Sequence, residues 1–391
     1  MTALLTRLLG RLPIGWLQLV HNRARLLAAL AGVAFANLLI LMQLGFLGAL
    51  VGGIGLPYAA LDADVLIQAS DANTLQDASP LPRARMLEAL AVEGVADATP
   101  LFIGRLDWKQ PDGTIRTLDV FGVDPRVRSF RDPVIDAARP ILALSNAALI
   151  DRGVRNVPPE LFREIDAGRP YRIESGGRRI DILGSFFIGG GFSADGFMVV
   201  SDQTFLKLFR TRSSGAPNLI LVRAAPGVEP AALAERLRAA LPASDATPRT
   251  VPQAVSRDQA FQTTQRPVGI VFGFGVVIGA LVGIIITYQV LATDVADHLR
   301  EYATFKAIGY RQRFFLGIVF EEAVILALLG FVPGCLAAMG LYAAVAALTG
   351  LPLEMTVTRG LSMLVGTIVM CTLSGAIATR RLAKADPAAL F

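Results

Sequence analysis

Four long stretches without a charged residue dominate this chain of 391 residues. They cover residues 26–61, 267–293, 323–353 and 360–379. Each stretch supplies the roughly 20 apolar residues that an α-helix needs to cross a bilayer. The composition, with 53% hydrophobic and only 18% charged residues, also favours a membrane protein over a soluble enzyme. We therefore predict four transmembrane helices, over residues 26–51, 268–291, 315–347 and 360–380.

The distribution of Lys and Arg predicts the orientation of these helices. Basic residues lie in 1–25, in the 292–314 loop and in the 381–391 tail, whereas the 348–359 loop holds one Arg and one Glu. Because cytoplasmic loops carry the excess of Lys and Arg, we expect both termini and the 292–314 loop in the cytoplasm. The net charge of +5 then follows from topology and does not indicate nucleic-acid binding. A cleaved signal peptide is the alternative for the first span, which is longer than the 7–15 apolar residues typical of such peptides.

The segment 52–267 has the sequence pattern of a large α/β domain outside the membrane. Strands are predicted within 62–70, 114–124 and 217–227, and helices within 82–95 and 229–241. A strand followed by a helix thus occurs on each side of a middle segment, 126–216, which is richer in Pro, Gly and Arg. We interpret this middle segment as an insertion into the domain.

Few residues in this domain suit catalysis or metal binding. The two histidines, His21 and His298, lie on the predicted cytoplasmic side, and the two cysteines lie in spans. This placement argues against a zinc site, a Ser-His-Asp triad or a disulfide outside the membrane. The glycine-rich stretch 188–202 lacks the Gly-Lys-Ser/Thr sequence of a phosphate-binding loop. It is interpreted as a flexible loop before a strand or as a contact for an external partner. We predict a non-catalytic chain that binds no cofactor or metal.

The loop between the second and third spans contains a charged amphipathic segment, 294–310. On a 3.6-residue period Val295, Leu299 and Tyr302 share one face, and Gly309 is placed to end the helix. Lys306 falls on the apolar face, where an unpaired ammonium is costly. The segment is either a helix that lies among lipid headgroups or a docking helix for a cytoplasmic protein.

Two further groups of residues within the spans are candidates for function. Gly275, Gly279 and Gly283 lie four residues apart on one helix face, which allows close helix packing in lipid. Their partner is either a span of the same subunit or the first span at a dimer interface. Glu321 and Glu322 are acidic residues near the start of the third span, where charge is costly. They either reach the interface or pair with Arg311 or Arg313, or they relay motion.

The residues around this segment resemble a known family. "TDVADHLREYATFKAIGYRQRFFLGIVFEEAVILALLGFVPG" (293–334) resembles the second cytoplasmic loop and third span of DevC-type ABC exporter permeases, within the broader MacB/FtsX-like, mechanotransmission family. The EYAT-x-KA-x-GY pattern at 301–310 is the most specific part. Residues 13–46, 193–209 and 380–391 resemble the N-terminal helix and first span, the external domain and the C-terminal end of such permeases.

The resemblance implies a membrane α-helical fold with four transmembrane helices and a periplasmic α/β domain between helices 1 and 2. That domain would comprise a Porter-like part (52–125 and 217–267) and an inserted Sabre-like part (126–216). The implied localisation is the bacterial inner membrane, with cytoplasmic termini. The implied partners are a second copy of the chain, a DevA-like ABC ATPase that binds ATP and Mg, a DevB-like membrane-fusion adaptor, a TolC-like outer-membrane protein and membrane lipid. Nucleic acid is not an expected partner.

The resemblance also implies a mechanism and a site. ATP-driven movement of the ATPase would be transmitted to the periplasmic domains, driving export of a glycolipid or another hydrophobic compound. The coupling helix that contacts the ATPase would contain Asp294, Asp297, Leu299, Arg300, Glu301, Tyr302, Lys306, Gly309 and Tyr310. An FtsX-type transducer that regulates a periplasmic partner and a lipoprotein-release permease remain open alternatives. A stand-alone channel is disfavoured because the spans lack a polar lining.

Overall fold

The computed structural model describes residues 14–77, 79–191, 194–298, 304 and 308–384. Its described elements follow in chain order: α1 (Ile14–His21), α2 (Arg23–Ala60), β1 (Val65–Ala69), α3 (Ala84–Leu90), β2 (Val95–Lys109), β3 (Ile115–Val123), α4 (Pro133–Ala137), α5 (Arg139–Leu142), β4 (Ala147–Asp151), α6 (Pro159–Asp166), β5 (Tyr171–Ser175), β6 (Arg178–Phe186), β7 (Gly196–Ser201), α7 (Asp202–Leu208), β8 (Leu219–Ala224), α8 (Pro230–Ala240), β9 (Ala246–Thr250), α9 (Val251–Thr264), α10 (Pro267–Asp297), α11 (Gln312–Thr349) and α12 (Val357–Lys384).

These elements form two compact units. The helical unit contains the described residues of 1–48, 270–346 and 353–391, and the sheet unit contains those of 49–269 and 347–352. Four helical segments are long and apolar enough to cross a membrane, judged by length and composition: Arg23–Ala60, Pro267–Asp297, Leu316–Thr349 and Val357–Thr379. The predicted fold class, four membrane helices with an α/β domain between the first and second, is confirmed.

The first membrane helix is much longer than a bilayer requires. Its 38 residues, at about 1.5 Å per residue, extend for roughly 57 Å, whereas the hydrocarbon core is about 30 Å thick. Pro57 lies inside its last turn. The helix is therefore long enough to extend beyond the hydrocarbon core of the membrane.

The interior of the helical unit combines small apolar residues with a few paired polar side chains. Ala29, Val33, Leu326 and Ala327 are buried there. The hydroxyl of Thr367 donates to Oδ1 of buried Asn37 over 2.7 Å. This bond compensates the burial of the Thr367 hydroxyl and of Oδ1 of Asn37, whereas the buried Nδ2 of Asn37 has no hydrogen-bond partner among the described residues.

The sheet unit is built on one mixed nine-stranded sheet with the order β5-β6-β4-β7-β3-β2-β8-β1-β9. The long strand β2 lies in the middle of this order and joins the two halves of the sheet. Residues 95–101 of β2 pair antiparallel with β8, and residues 102–109 pair antiparallel with β3. The β3–β7 and β4–β6 pairs are parallel, and the remaining pairs are antiparallel.

The strands and helices predicted from the sequence of this unit are confirmed. The patterns at 62–70, 114–124 and 217–227 form β1, β3 and β8, and those at 82–95 and 229–241 form α3 and α8. Segment 126–216 supplies β4 to β7, which lie together on one side of β3, while β1, β8 and β9 lie on the other side of β2. Contacts group all nine strands into one unit, and the Porter-like and Sabre-like boundaries remain predictions.

Candidate functional site

Two charged residues far apart in sequence meet at one end of the helical unit, where α2 begins and α10 ends. Nη1 of Arg25 donates to Oδ1 of Asp294 over 3.0 Å, and Arg25 also forms an ion pair with Asp297. Only 3% of the Asp294 side chain is exposed, against 52% for Asp297. The buried carboxylate thus takes its charge compensation from α2.

Helix α11 adds two buried acids to this place. Glu321 is 6% exposed and Glu322 is fully buried. Oε1 of Glu321 accepts from the backbone N–H of Trp16 over 3.4 Å. A Cβ atom built on Gly15 would lie 2.9 Å from Cγ of Glu322, so α1 passes directly over α11 here. We call Arg25, Asp294, Asp297, Glu321 and Glu322 the helix-end cluster.

The helix-end cluster connects four helices through groups that are costly to bury. Both carboxyl oxygens of Glu322 and Oδ2 of Asp294 are buried, and these two carboxyl groups lie side by side. An acidic group in an apolar helix bundle is expensive unless it is compensated. A shift of α10 relative to α2 would separate Arg25 from Asp294, so the cluster is sensitive to movement between these helices.

The second predicted span ends later than the sequence suggested. The prediction ended it at residue 291, whereas α10 continues without a break to Asp297. Val295 explains the difference, because it is buried against Ile318 and Val319 of α11 and keeps the last turn helical. Asp294 and Asp297, predicted as part of the coupling helix, therefore lie on the last turn of α10.

The remaining coupling-helix residues are described only in part. Leu299, Arg300, Glu301, Tyr302 and Lys306 lie outside the described residues. Gly309 has φ of +105°, a left-handed conformation that suits a residue just past a helix end. The ring centroid of Tyr310 lies 4.6 Å from that of Phe314. The role of this segment in binding an ATPase remains a prediction.

The glycine ridge of α10 packs against helices of the same chain. Gly279 faces Ile40 of α2, where an added Cβ atom would lie 2.8 Å from Cγ1. Gly275 faces Gln43 of α2, and Gly283 faces Ala36 of α2 and Met370 of α12. Contacts within one subunit thus account for the spacing, and a role at a dimer interface remains a prediction.

The sheet unit contains an open cavity of roughly 390 Å³, which we call the domain cavity. One wall is apolar and the other carries amides and charges. The lining comprises Leu50, Gly53, Ile54, Thr74, Gln76, Asp77, Arg105, Gln262, Arg266, Pro267 and Val268. A small inner chamber of about 30 Å³ shares five of these residues and reaches Tyr58 and Asp258.

Asp258 is a buried acceptor in the inner chamber. Its Oδ2 accepts from the Tyr58 hydroxyl over 2.9 Å and from the backbone N–H of Leu75 over 3.0 Å. The Gln262 side chain, one helical turn further along α9, also hydrogen-bonds to this carboxylate, whose Oδ1 is buried. Burial raises the pKa of Asp258, and the hydrogen bonds from Leu75, Tyr58 and Gln262 partly oppose this shift.

A second buried acid, Asp119 on β3, lies beside the polar wall of the domain cavity. Its carboxylate pairs with Nε of Arg105 at 3.3 Å and accepts from Gln76, while Nη2 of Arg105 donates to Oε1 of Gln76 over 2.9 Å. Burial raises the pKa of Asp119 to about 6, although Arg105 opposes the shift. The three side chains hold one another in place at the cavity wall.

A third buried acid, Asp151 at the end of β4, fixes the glycine-rich loop. It accepts from the backbone N–H groups of Gly153 over 2.9 Å, Ile188 over 3.0 Å and Gly189 over 3.0 Å. The prediction of a loop before a strand is confirmed by β7, but the described start of this loop is pinned by hydrogen bonds. The described residues contain no group of three His, Cys, Asp or Glu that could hold a metal ion.

From the sequence, Arg25 was considered only as an indicator of membrane topology. The burial of Asp119, Asp151 and Asp258 was not predicted. Asp119 and Asp151 are single carboxylates in largely apolar strands, and Asp258 lies in a mostly polar helix, so no local pattern indicates that these acids are buried. None has a motif that would have identified its partner.

Comparison with known proteins adds a family match at the C-terminal part. Residues 273–387 match the profile of the FtsX-like permease C-terminal family. A 110-residue stretch is 34% identical to the macrolide export ATP-binding/permease protein MacB of Nitrobacter winogradskyi. The match covers 28% of this chain and spans only 17% of the MacB protein. The C-terminal part of the chain is therefore similar to FtsX-like permeases and to MacB.

Three solved structures resemble parts of the chain more distantly. The extracellular domain of the transporter YknZ from Gram-positive bacteria has a TM-score of 0.30 at 13% identity, covering 46% of this chain and 91% of that one. The periplasmic region of MacB from Actinobacillus actinomycetemcomitans has a TM-score of 0.34 at 12% identity, covering 55% and 97%. A domain of a permease protein from Porphyromonas gingivalis has a TM-score of 0.28 at 17% identity, covering 50% and 89%.

Proposed function

We propose that this chain is the permease subunit of an ATP-driven exporter and that it transmits motion from a cytoplasmic ATPase to its sheet unit. The exported compound is a lipid or another hydrophobic molecule. In this proposal two copies of the chain work with two ATPase subunits, in the manner of DevC-type systems. A membrane-fusion adaptor and an outer-membrane duct complete the export path. The chain lies in the inner membrane, and both of its termini lie in the cytoplasm.

The observation that carries the proposal is the ion pair between Arg25 and Asp294. Asp294 lies on the last turn of α10, next to the segment that resembles a coupling helix, and Arg25 lies on the first turn of α2. A force on the coupling segment would therefore act on the start of α2. Because α2 is a continuous helix that extends well beyond the length of a span, it is suited to carry such a movement to its far end.

The energy source in this proposal is a separate subunit. These 391 residues contain no Gly-x-x-x-x-Gly-Lys-Ser/Thr sequence, and in this proposal a partner subunit supplies the phosphate-binding loop of the ATPase. The FtsX-like match supports an ABC ATPase as this partner. The name of the MacB relative joins ATP binding and permease in one protein, which links this kind of permease to an ATPase.

The test is co-purification of the chain with its candidate ATPase and adaptor through a C-terminal tag. Wild type is compared with Glu301→Arg and Lys306→Glu, which reverse charges in the coupling segment. We expect the ATPase to be retained by wild type and reduced at least fivefold by each reversal. Glu354→Arg, in the loop predicted on the other side of the membrane, is the matched control and should retain the ATPase.

Two outcomes would count against the proposal. If the ATPase binds wild type and both reversals equally, residues 294–310 form a helix on the membrane surface rather than a docking site. If a periplasmic hydrolase co-purifies in place of an adaptor, an FtsX-type transducer without a transported compound is the better description.

A further inference from the structure

The loop between β1 and α3 contains a short segment, residues 72–77, that we call the strap. Thr74 and Leu75 in this segment are buried. Oγ1 of Thr74 accepts from the backbone N–H groups of Gln76 over 3.3 Å and of Asp77 over 2.9 Å. A threonine hydroxyl that bonds to backbone groups two and three residues later fixes a turn. The strap therefore has a defined, closed conformation.

Helix α9 and the residue before α10 hold one edge of the strap. The backbone N–H of Leu75 donates to Oδ2 of Asp258 on α9 over 3.0 Å. The side chain of Asp77 forms an ion pair with Arg266, and α10 begins at the following residue, Pro267. The closed strap is thus bonded to the point at which the chain enters α10.

Gln76 bonds the other edge of the strap to the sheet. Its side-chain amide donates to Oδ2 of Asp119 on β3, and its Oε1 accepts from Nη2 of Arg105 on β2 over 2.9 Å. Only 1% of the Asp119 side chain is exposed, against 50% for Arg105. Because Gln76 contacts the buried carboxyl group directly, movement of Gln76 away from the sheet would admit water to Asp119.

A negative charge on Asp119 opposes the closed strap. Arg105 is the charged side chain that contacts Asp119 in the described chain, while the strap contributes the neutral Gln76 and β7 places Phe197 opposite Asp119. Burial raises the pKa of Asp119 to about 6, against the effect of Arg105. Hydration on release of the strap would return this pKa toward its ordinary value of about 4. A group whose pKa is higher in the closed state stabilises that state when it is protonated, and this stabilisation is lost as the pH rises from about 4 to about 6.

We propose that the strap is a pH-sensitive tie between the sheet and the residue before α10, and that the protonation of Asp119 controls it. In acid the carboxyl is neutral, and the strap stays bonded through Gln76 to β2 and β3. At neutral pH the carboxyl is charged, and its hydration favours release of Gln76. Release leaves Arg266 without this connection to β2 and β3. The tie lies within the sheet unit and does not depend on the proposed export function.

The test is hydrogen exchange of the full chain in lipid nanodiscs, measured on the backbone amides of Leu75, Gln76 and Asp77 at pH 5, 6 and 7.5. Wild type is compared at each pH with Asp119→Asn, whose side chain is always neutral. The residues next to these amides are the same in both chains, so the intrinsic exchange rates cancel in the ratio of the two rates. We expect the ratio of wild type to Asp119→Asn to rise at least threefold from pH 5 to pH 7.5. A pKa that falls from about 6 to about 4 on release sets an upper limit of roughly tenfold for this rise.

Two further variants make the test specific. Asp107→Asn is the matched control, because it removes an exposed carboxylate from the neighbouring strand β2, and its ratio should change less than 1.5-fold. Arg105→Met removes the positive charge beside Asp119, so it should accelerate exchange of the strap amides more at pH 7.5 than at pH 5. Since Asp119→Asn and Arg105→Met alter different partners, the test remains decisive if one of these variants fails to fold.

Three results would overturn the proposal. A ratio of wild type to Asp119→Asn that stays within 1.5-fold between pH 5 and pH 7.5 would show that Asp119 does not control the strap. An equal rise for Asp107→Asn would assign the pH dependence to surface charge in general. Strap amides that exchange at pH 5 as fast as those of an unstructured peptide would show that the strap is not closed in acid.

Discussion

Arg25 and Asp294 lie 269 positions apart in the chain and form an ion pair of 3.0 Å between the first turn of α2 and the last turn of α10. Asp294 is almost completely buried, and Arg25 is about one quarter exposed. Removing Arg25 would leave the buried Asp294 carboxylate without this partner, whereas removing Asp294 would leave Arg25 paired with the half-exposed Asp297. The pair therefore stabilises one relative position of the two helices.

The first prediction is that Asp294→Asn destabilises the chain by roughly 2 kcal/mol, because the buried ion pair is lost while Arg25 keeps Asp297, and that it lowers the stimulation of the ATPase. Asp297→Asn is the matched control, because Asp297 pairs with the same Arg25 but is half exposed, and such pairs contribute about 1 kcal/mol or less. Thermal unfolding and ATPase rates in nanodiscs measure both effects. The exchanged pair Arg25→Asp with Asp294→Arg should recover part of the loss. Equal effects of the two Asn variants would mean that burial of the pair is unimportant.

The second prediction concerns the glycine ridge of α10. Gly279→Leu should lower the unfolding temperature because its side chain would collide with Ile40 on α2, whereas a Cβ atom at Gly273 on the same helix meets nothing within 4 Å. Gly273→Leu is therefore the control and should unfold like wild type. Crosslinking between subunits is measured in parallel. A loss of crosslinks with unchanged unfolding in Gly279→Leu would indicate a dimer contact instead of packing within one subunit.

These residues show what the sequence could and could not predict. The uncharged stretches and the alternating strands predict the membrane helices and the main strands, because both signals are local and repeat along the chain. The spacing of Gly275, Gly279 and Gly283 predicts a close helix contact but not whether the partner belongs to the same subunit.

Pairing between distant residues was not predictable in the same way. No periodicity connects Arg25 with Asp294 or Tyr58 with Asp258, because such pairs depend on how the elements fold together. The later end of α10 has a similar cause. Val295 was assigned to the apolar face of a separate helix, but packing against α11 makes it part of α10.

The third prediction uses the raised pKa of Asp119. The folded chain holds a proton on this carboxyl up to a pKa of about 6, whereas the unfolded chain releases it near 4, so folding loses stability as pH rises from about 4 to 6. Above that window the cost of the buried charge is roughly 3 kcal/mol. Asp119→Asn removes this cost, and its unfolding temperature relative to wild type should rise between pH 5 and pH 7.5. Asp107→Asn, on the neighbouring strand and more exposed, is the control. A constant difference across this pH range would show that Asp119 is not protonated in the folded chain.

The fourth prediction concerns Asp151 and the loop that it holds. Its carboxylate accepts three backbone N–H groups, from Gly153, Ile188 and Gly189, and Asp151→Ala would leave all three without this acceptor. At about 1 kcal/mol or more for each buried donor, we expect a loss of roughly 3 kcal/mol. Amide hydrogen exchange at 186–191 should accelerate at least tenfold, while exchange in β1 and β8 should not change.

Two variants separate the role of Asp151 as an acceptor from a general loss of charge in this region. Asp151→Asn keeps one acceptor oxygen and should lose about half as much stability as Asp151→Ala. Asp166→Ala removes an exposed carboxylate that pairs with Arg152, the residue that follows Asp151. This change should lower the free energy of unfolding by less than about 1 kcal/mol. If Asp151→Ala and Asp166→Ala change exchange at 186–191 equally, the loop is held by its own packing and not by the Asp151 carboxylate.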